Sequence, residues 1–467
     1  MRLSGLWASR PFTLLWTGQT VSQLGSQVTL IALPLTAILV LGASPVQVGL
    51  LTAAGFAPAA VFGLFAGVLV DRARRRPLQI CSQLVLAATT MSVPVAGWLG
   101  VLRLEQLFAL EVLNGALAVV STAAGQAYLP ALVQPARLTE ANAKLTTGSA
   151  VARMVGPGFA GALVQLASAP TAMVVDAISF VFSAACLWFI DVPEPAPRRS
   201  AKRGIASEIG EGLYLVTAHR LIRPLFVSGG AYNFFAAIFV AVYTLFMVRE
   251  LGLSAAAVGA IIACGGAGGV MGGLLAEPVA RRFGLGRAIV SGILVLAVMH
   301  LAVPAAFGPA LITVPLLSMA GLVAQIGLAV MAVNRTTLIQ RMIPAHAQGR
   351  VAATQQVVVL AAVPLGAALG GVIADAFGLR ATTAVAAVGT IAATVPLLRS
   401  RLWSLELTEA VEDSTLSTTP NGALQESSRM ASPAPARWSS SISEYLRLST
   451  TPWAPPAKAA RTASRTP

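Results

Sequence analysis

Residues 65–79 read FAGVLVDRARRRPLQ. A largely aliphatic run precedes them, and then Asp71, Arg72, Arg74, Arg75 and Arg76 interrupt it. After Pro77 the chain turns apolar again. The preceding run matches the ~20 apolar residues a helix needs to cross a bilayer core. The charges mark the edge of that core, and the chain then re-enters it.

The same alternation fills the first ~400 residues, leaving too little polar surface to cover a soluble core. Only 11% of the 467 residues are charged, against roughly 25% in soluble proteins. Hydrophobic residues make up 56%, and the mean hydropathy is +0.76. The fold class read from this is an all-α membrane protein. Twelve transmembrane helices are predicted, at about 13–41, 47–70, 77–100, 105–129, 146–167, 170–190, 224–247, 254–279, 287–306, 309–333, 352–375 and 380–398. The first run is too long for a signal-peptide core and lacks a clear cleavage site.

The net charge of +14 does not point to nucleic acid, because the basic residues sit in short clusters between spans. One set of connections holds Arg2 and Arg10, Arg72 to Arg76, Arg137 and Lys144, Arg198 to Arg223, Arg281 to Arg287, Arg341 and Arg350, and Arg399 and Arg401. The alternate set holds only Arg103, Arg249 and Arg380. Basic short loops stay cytoplasmic. Both termini are therefore expected in the cytoplasm, in a multi-pass protein of the cell membrane.

A Pro-rich, basic stretch at 191–223 follows the sixth span and reads as a cytoplasmic linker. It separates a six-helix bundle at 1–190 from a second at 224–400. The halves echo each other: GVLVDR at 67–72 and GLLAEP at 273–278 both place an acid four residues after a glycine. GPGFAGALV at 156–164 and LGAALGGVI at 365–373 both fall in the fifth span of their half. Weak duplication of this kind suits transporters built from parallel repeats, with the substrate site between the halves. Residues 401–467 are rich in Ser, Thr, Pro and Ala without apolar period and read as a disordered tail.

Several polar residues fall inside the predicted spans, where they are costly and mark function by default. Gln19, Gln23 and Ser26 share one face of the first helix. Glu111 and Asn114 lie in the fourth span, Arg153 in the fifth, Asp176 in the sixth, Asn233 in the seventh and Gln325 in the tenth. Each of these also has a plain packing or hydrogen-bonding explanation. Gly156, Pro157, Gly158 and Gly161 can kink the fifth helix and admit a close neighbour. Gly265, Gly269 and Gly273 recur every four residues, a helix-packing pattern rather than a phosphate loop. Cys81, Cys186 and Cys264 read as buried apolar residues, with no disulfide or metal site. His219, His300 and His346 are too scattered for a metal centre or catalytic triad. No cofactor is expected.

Twelve spans, the 6+6 repeat, the central loop and GVLVDRARRR at 67–76 together resemble the major facilitator superfamily. Gly67, Asp71, Arg72 and the basic cluster match its signature Gly-x-x-x-Asp-Arg-x-Gly-x-Arg-Arg, with Arg74 where glycine is usual. LLWTGQTVSQLGSQVTLIALPL at 14–35, ARMVGPGFAGALV at 152–164, VVDAISFVFSA at 174–184 and FMVRELGLS at 246–254 resemble the efflux branch of macrolide and enterobactin-type siderophore exporters. The resemblance implies that Asp71 holds the second span to the start of the eleventh as a cytoplasmic gate. Glu277, near Arg281 and Arg282, would do the same against the fifth span, from the Gly273 repeat of the motif. The fourth span departs from the branch's Arg-x-x-Gln-Gly pattern, with Glu111 and Asn114 replacing its arginine and glutamine. Ser26 stands where relatives often carry an acid.

The resemblance implies a secondary active transporter, not an enzyme. It would export a small, largely apolar drug, macrolide-like or siderophore-like compound by alternating access and proton antiport. The expected partners are that substrate, a proton gradient and the lipid bilayer, with the protein a monomer. The alternatives are an uptake symporter, a polytopic membrane enzyme or a non-transporting receptor.

Overall fold

The computed structural model describes residues 5–192, 222–343 and 345–400. For 60–72 and for 345–347, 349–350, 352–353 and 360 it describes the backbone alone. The linker at 193–221 and the tail from 401 lie outside the described residues.

Twelve long helices lie among the described residues. They are α1 (Arg10–Leu35), α2 (Pro45–Arg72), α3 (Arg75–Trp98), α4 (Leu104–Leu132), α5 (Leu138–Ala167) and α6 (Ala169–Trp188), then α7 (Ile222–Arg249), α8 (Ala255–Phe283), α9 (Leu285–His300), α10 (Ala310–Met342), α11 (Ala345–Phe377) and α12 (Leu379–Ala392). They match the twelve predicted spans one for one. Three run well past the predicted apolar limits at the face that carries the N-terminus. α5 starts at Leu138 rather than 146, α10 continues to Met342, and α11 begins at Ala345. Their extra turns, such as NRTTLIQRM at 334–342, keep helical hydrogen bonds although hydropathy has fallen. A helix does not stop where the hydrocarbon stops.

The duplication is clearest at the joints. Leu41-Gly42-Ala43-Ser44 follows the π-helical turn Thr36–Val40 that extends α1, and Leu251-Gly252-Leu253-Ser254 comes just after α7. Gly42 and Gly252 have φ of 63° and 62°, a left-handed conformation that ends helices and that glycine adopts at little cost. The next serine then accepts from the backbone three residues on, Ser44 from Gln47 and Ser254 from Ala257, both at 3.3 Å. At the α5–α6 and α11–α12 joints, Ser168 (φ 85°, ψ 157°) and Gly378 (φ 87°, ψ 160°) take the same conformation.

The halves meet along two helix pairs, both near the face opposite the N-terminus. In the first, α2 crosses α11: a Cβ on Gly49 would lie 2.7 Å from the Gly371 Cα. In the second, α5 crosses α8: a Cβ on Gly259 would lie 2.7 Å from the Gly161 Cα. Glycine is what lets these backbones touch. Arg249, at the end of α7, adds a tie across the halves by donating to the Ala43 carbonyl at 2.7 Å.

Candidate functional site

A cavity of about 1000 Å³ lies between the two halves. Its N-terminal wall comes from α1 to α6, and its C-terminal wall from α7 to α10. It is bounded by the glycine crossings at one end. Leu14, Leu129 and Asn142 extend its wall to the N-terminal face at the other. Seven of the predicted polar residues line it: Gln19, Gln23 and Ser26 of α1, Glu111 and Asn114 of α4, Asp176 of α6 and Gln325 of α10.

Asp176 is almost wholly buried, at 1% exposure. Three hydroxyls surround its carboxylate. Thr29 donates to one oxygen, and Ser179 (3.2 Å) and Ser26 (3.5 Å) donate to the other. Gly25 makes this possible, since a Cβ there would come within 2.8 Å of the carboxylate. A buried carboxylate is tolerable only with such donors. Glu111 is different. It is half-buried on the α4 face against Gly55 and has no hydrogen bond or ion pair among the described residues. One turn further on, the Asn114 carbonyl oxygen is buried without a donor.

Two predicted pathway residues stand elsewhere. Arg153 is exposed and absent from the cavity wall, while its backbone packs on α8 at Gly266. Asn233 donates to the Gly229 carbonyl of its own helix at 2.7 Å and is likewise absent from the wall. Of the packing set, Gly156 backs onto Gln27 of α1, and Gly158 and Gly161 face α8. Pro157 is buried within unbroken helix.

At the basic face, Glu277 is exposed and pairs with Arg281 of its own helix at 2.7 Å. Gly273 faces open space. The side chains of Gly67, Asp71 and Arg72 lie outside the described residues, on a helix that ends at Arg72. Arg75 and Arg76 do more than bias topology. Arg75 donates to the Ala127 carbonyl at 2.9 Å, and Arg76 to the Leu187 carbonyl at 3.0 Å. The start of α3 is thereby tied to α4 and to the end of α6, whose last carbonyls lack helical partners.

Sequence reasoning passed over the aromatic side of the cavity. Phe239 stacks on Tyr243 at 4.8 Å and on His300 at 4.2 Å, and all three line the wall. The i, i+4 spacing of Phe239 and Tyr243 was a usable signal. The approach of His300 from α9 was not.

A family model described as transmembrane secretion effector, of the major facilitator class, matches residues 6–428. The chain belongs to this family. It is 29% identical over 362 residues to an uncharacterized MFS-type transporter, y4rN, of Sinorhizobium fredii, covering 76% of this chain and 86% of that protein. It is 26% identical over 413 residues to the multidrug efflux pump Tap of Mycolicibacterium fortuitum, covering 83% of this chain and 96% of that one. Among solved structures, a bacterial homolog of the human lysosomal transporter Spinster, inward-facing and occupied, superposes with a TM-score of 0.67. That pair is 17% identical, with 87% of this chain and 99% of the other covered. The protein is thus a multi-span membrane transporter of the major facilitator type, with efflux pumps among its relatives, and not an enzyme.

Proposed function

We propose that this transporter exports a small, largely apolar compound from the cytoplasm by alternating access, coupled to inward proton movement. One observation carries the reading. A cavity between two six-helix halves has two carboxylates, Glu111 and Asp176, in a wall that holds no lysine or arginine among the described residues. Such acids suit carriers that exchange a proton for cargo, because intramembrane acids persist where protons or ions pass. Gln19, Gln23, Ser26, Asn114 and Gln325 supply the remaining polar contacts to cargo.

The distribution of arginines puts the N-terminal face in the cytoplasm. The cavity then opens inward and the glycine crossings form the outer seal. In the opposite state the basic ends of the halves close. Asp71 with Gly67 and Arg72 would clamp α2 to α11, and Glu277 with Gly273 and Arg281 would clamp α8 to α5. The glycines and Pro157 of α5 let that helix pivot about its outer crossing. Energy comes from the ion gradient, since one charge crossing 100 mV releases about 2.3 kcal/mol. The membrane is the cell membrane, and the working unit is a monomer.

Flux of a fluorescent apolar drug in everted vesicles tests this. Under an imposed pH gradient, acid inside, the drug should accumulate within the vesicles. Uptake indifferent to the gradient would remove proton coupling, and drug loss from the vesicles under that gradient would favour the symporter.

A further inference from the structure

The cavity wall is one-sided in charge. Among the described lining residues there are two carboxylates, Glu111 and Asp176, and no lysine or arginine. The two acids are not equivalent. Asp176 already accepts from Thr29, Ser26 and Ser179. Glu111 accepts from nothing among the described residues, and the Asn114 oxygen on the next turn is also without a donor. A carboxylate and an amide oxygen, adjacent on one helix face and both without a protein donor, cost free energy that a cargo donor can recover. Facing them is a wall with the opposite character: Phe239 stacked on Tyr243 and His300. Glu111 lies about two turns inside the start of α4 and Tyr243 about two turns inside the end of α7, while His300 ends α9. Those helix ends share one face of the molecule, so acceptors and aromatic wall sit at similar depth.

Resting on the export reading above, we infer that this end of the cavity is a subsite for a protonated amine on an apolar, ring-bearing cargo. Its ammonium N–H donates to Glu111 and Asn114, and its ring system lies on the Phe239 wall. The chemistry selects among the cargo classes the sequence leaves open. An amine gains a charge-assisted hydrogen bond in a site of low dielectric. A neutral isostere leaves the acceptors orphaned. A carboxylate- or catecholate-bearing compound meets like charge with no compensating cation in the described wall.

Three dansyl amides of matched size provide the test. One carries a 3-(dimethylamino)propyl tail, one the neutral 4-methylpentyl tail and one a 3-carboxypropyl tail. Binding to the full chain in phosphatidylcholine nanodiscs is read from dansyl fluorescence at pH 7, with no gradient. The amine should bind about 10-fold or more tighter than the neutral probe, the worth of one charge-assisted hydrogen bond. The acid should bind more weakly than either. Glu111→Gln should abolish the preference, bringing the amine and the neutral probe to similar affinity. Asn114→Leu should narrow the gap by about 3-fold. Equal binding of amine and neutral probe, tighter binding of the acid, or a preference that survives Glu111→Gln would overturn the subsite. The wild-type comparison decides even if a variant fails to fold. Flux of the same probes in everted vesicles separates the two readings. Movement without amine preference sinks the subsite and leaves export standing, whereas amine-selective binding without flux sinks export alone.

Discussion

Asp176 shows how one residue can be legible as a position and opaque as a role. An acid in an apolar run is conspicuous in the sequence, but Thr29 and Ser179, which hold it, look like ordinary helix residues. Removing the carboxylate would orphan the Thr29 and Ser26 hydroxyls, while Ser179 keeps the Asp176 backbone carbonyl at 2.8 Å, so Asp176→Ala should lower the melting midpoint of the detergent-solubilised protein by several degrees, at about 1–3 kcal/mol for buried groups left unpaired. Asp176→Asn retains an oxygen acceptor and should melt within about 2 °C of wild type. If Asp176 carries the exchanged proton, that stable variant should still lose gradient-driven flux in vesicles. Flux at the wild-type level would reduce the residue to a hydrogen-bonding anchor. Arg153 makes the converse point. A charge near mid-span suggests a cavity by cost alone, but helix rotation decides what it faces. A one-residue change in register moves a side chain by about 100°, finer than any depth estimate from hydropathy.

The helices themselves were nearly all readable, because a membrane imposes one length and one composition on each. Their ends were not, and α5, α10 and α11 extend beyond the apolar region. The α8 glycines show what helix packing adds. Gly259, Gly266 and Gly273 lie seven residues apart on one face. The first meets Gly161, the second meets Met154 at 2.9 Å from its would-be Cβ, and the third meets nothing. α5 and α8 therefore splay apart toward the basic face. Gly259→Trp should prevent the outer crossing, seen as increased labelling of a cysteine introduced at Ser44. Gly273→Trp should fold and bind cargo normally, yet abolish flux by blocking closure at the basic face. Normal flux in Gly273→Trp would mean that the two helices never meet there. At the α5–α6 joint, Ser168 holds a backbone conformation, φ 85° and ψ 157°, that its counterpart Gly378 adopts freely. Such strain costs on the order of 1–3 kcal/mol, so Ser168→Gly should raise the melting midpoint. An unchanged or lower midpoint would mean the joint is unstrained.

At the scale of the molecule, Arg249 stands out. It is one of three basic residues in the connections opposite the N-terminal face, and it ties the end of α7 to Ala43 across the halves. Arg380 is nearby in function: it pairs with Glu250 at 3.5 Å, donates to the Pro304 and Ala306 carbonyls, and lies 3.8 Å over the Phe307 ring. These contacts explain why arginines persist on a face where topology disfavours them. Arg249→Ala should shift the population toward the state open at that face. The shift would be read as a longer distance component between spin labels on the α1–α2 and α7–α8 turns, and an unchanged distribution would exclude a latch. The sequence alone determined the solvent, the number of helices, their alternation and the duplication, because each follows from runs of apolar residues, loop charge and local turn chemistry. The two repeated Leu-Gly-x-Ser turns belong to that legible part. Only the tertiary structure decided which end of the bundle is sealed, which polar residues reach the cavity, and that Glu111 waits for a donor while Asp176 does not. Those outcomes depend on helix rotation and on glycine-to-glycine crossings between segments some two hundred residues apart, which no local pattern of side chains records.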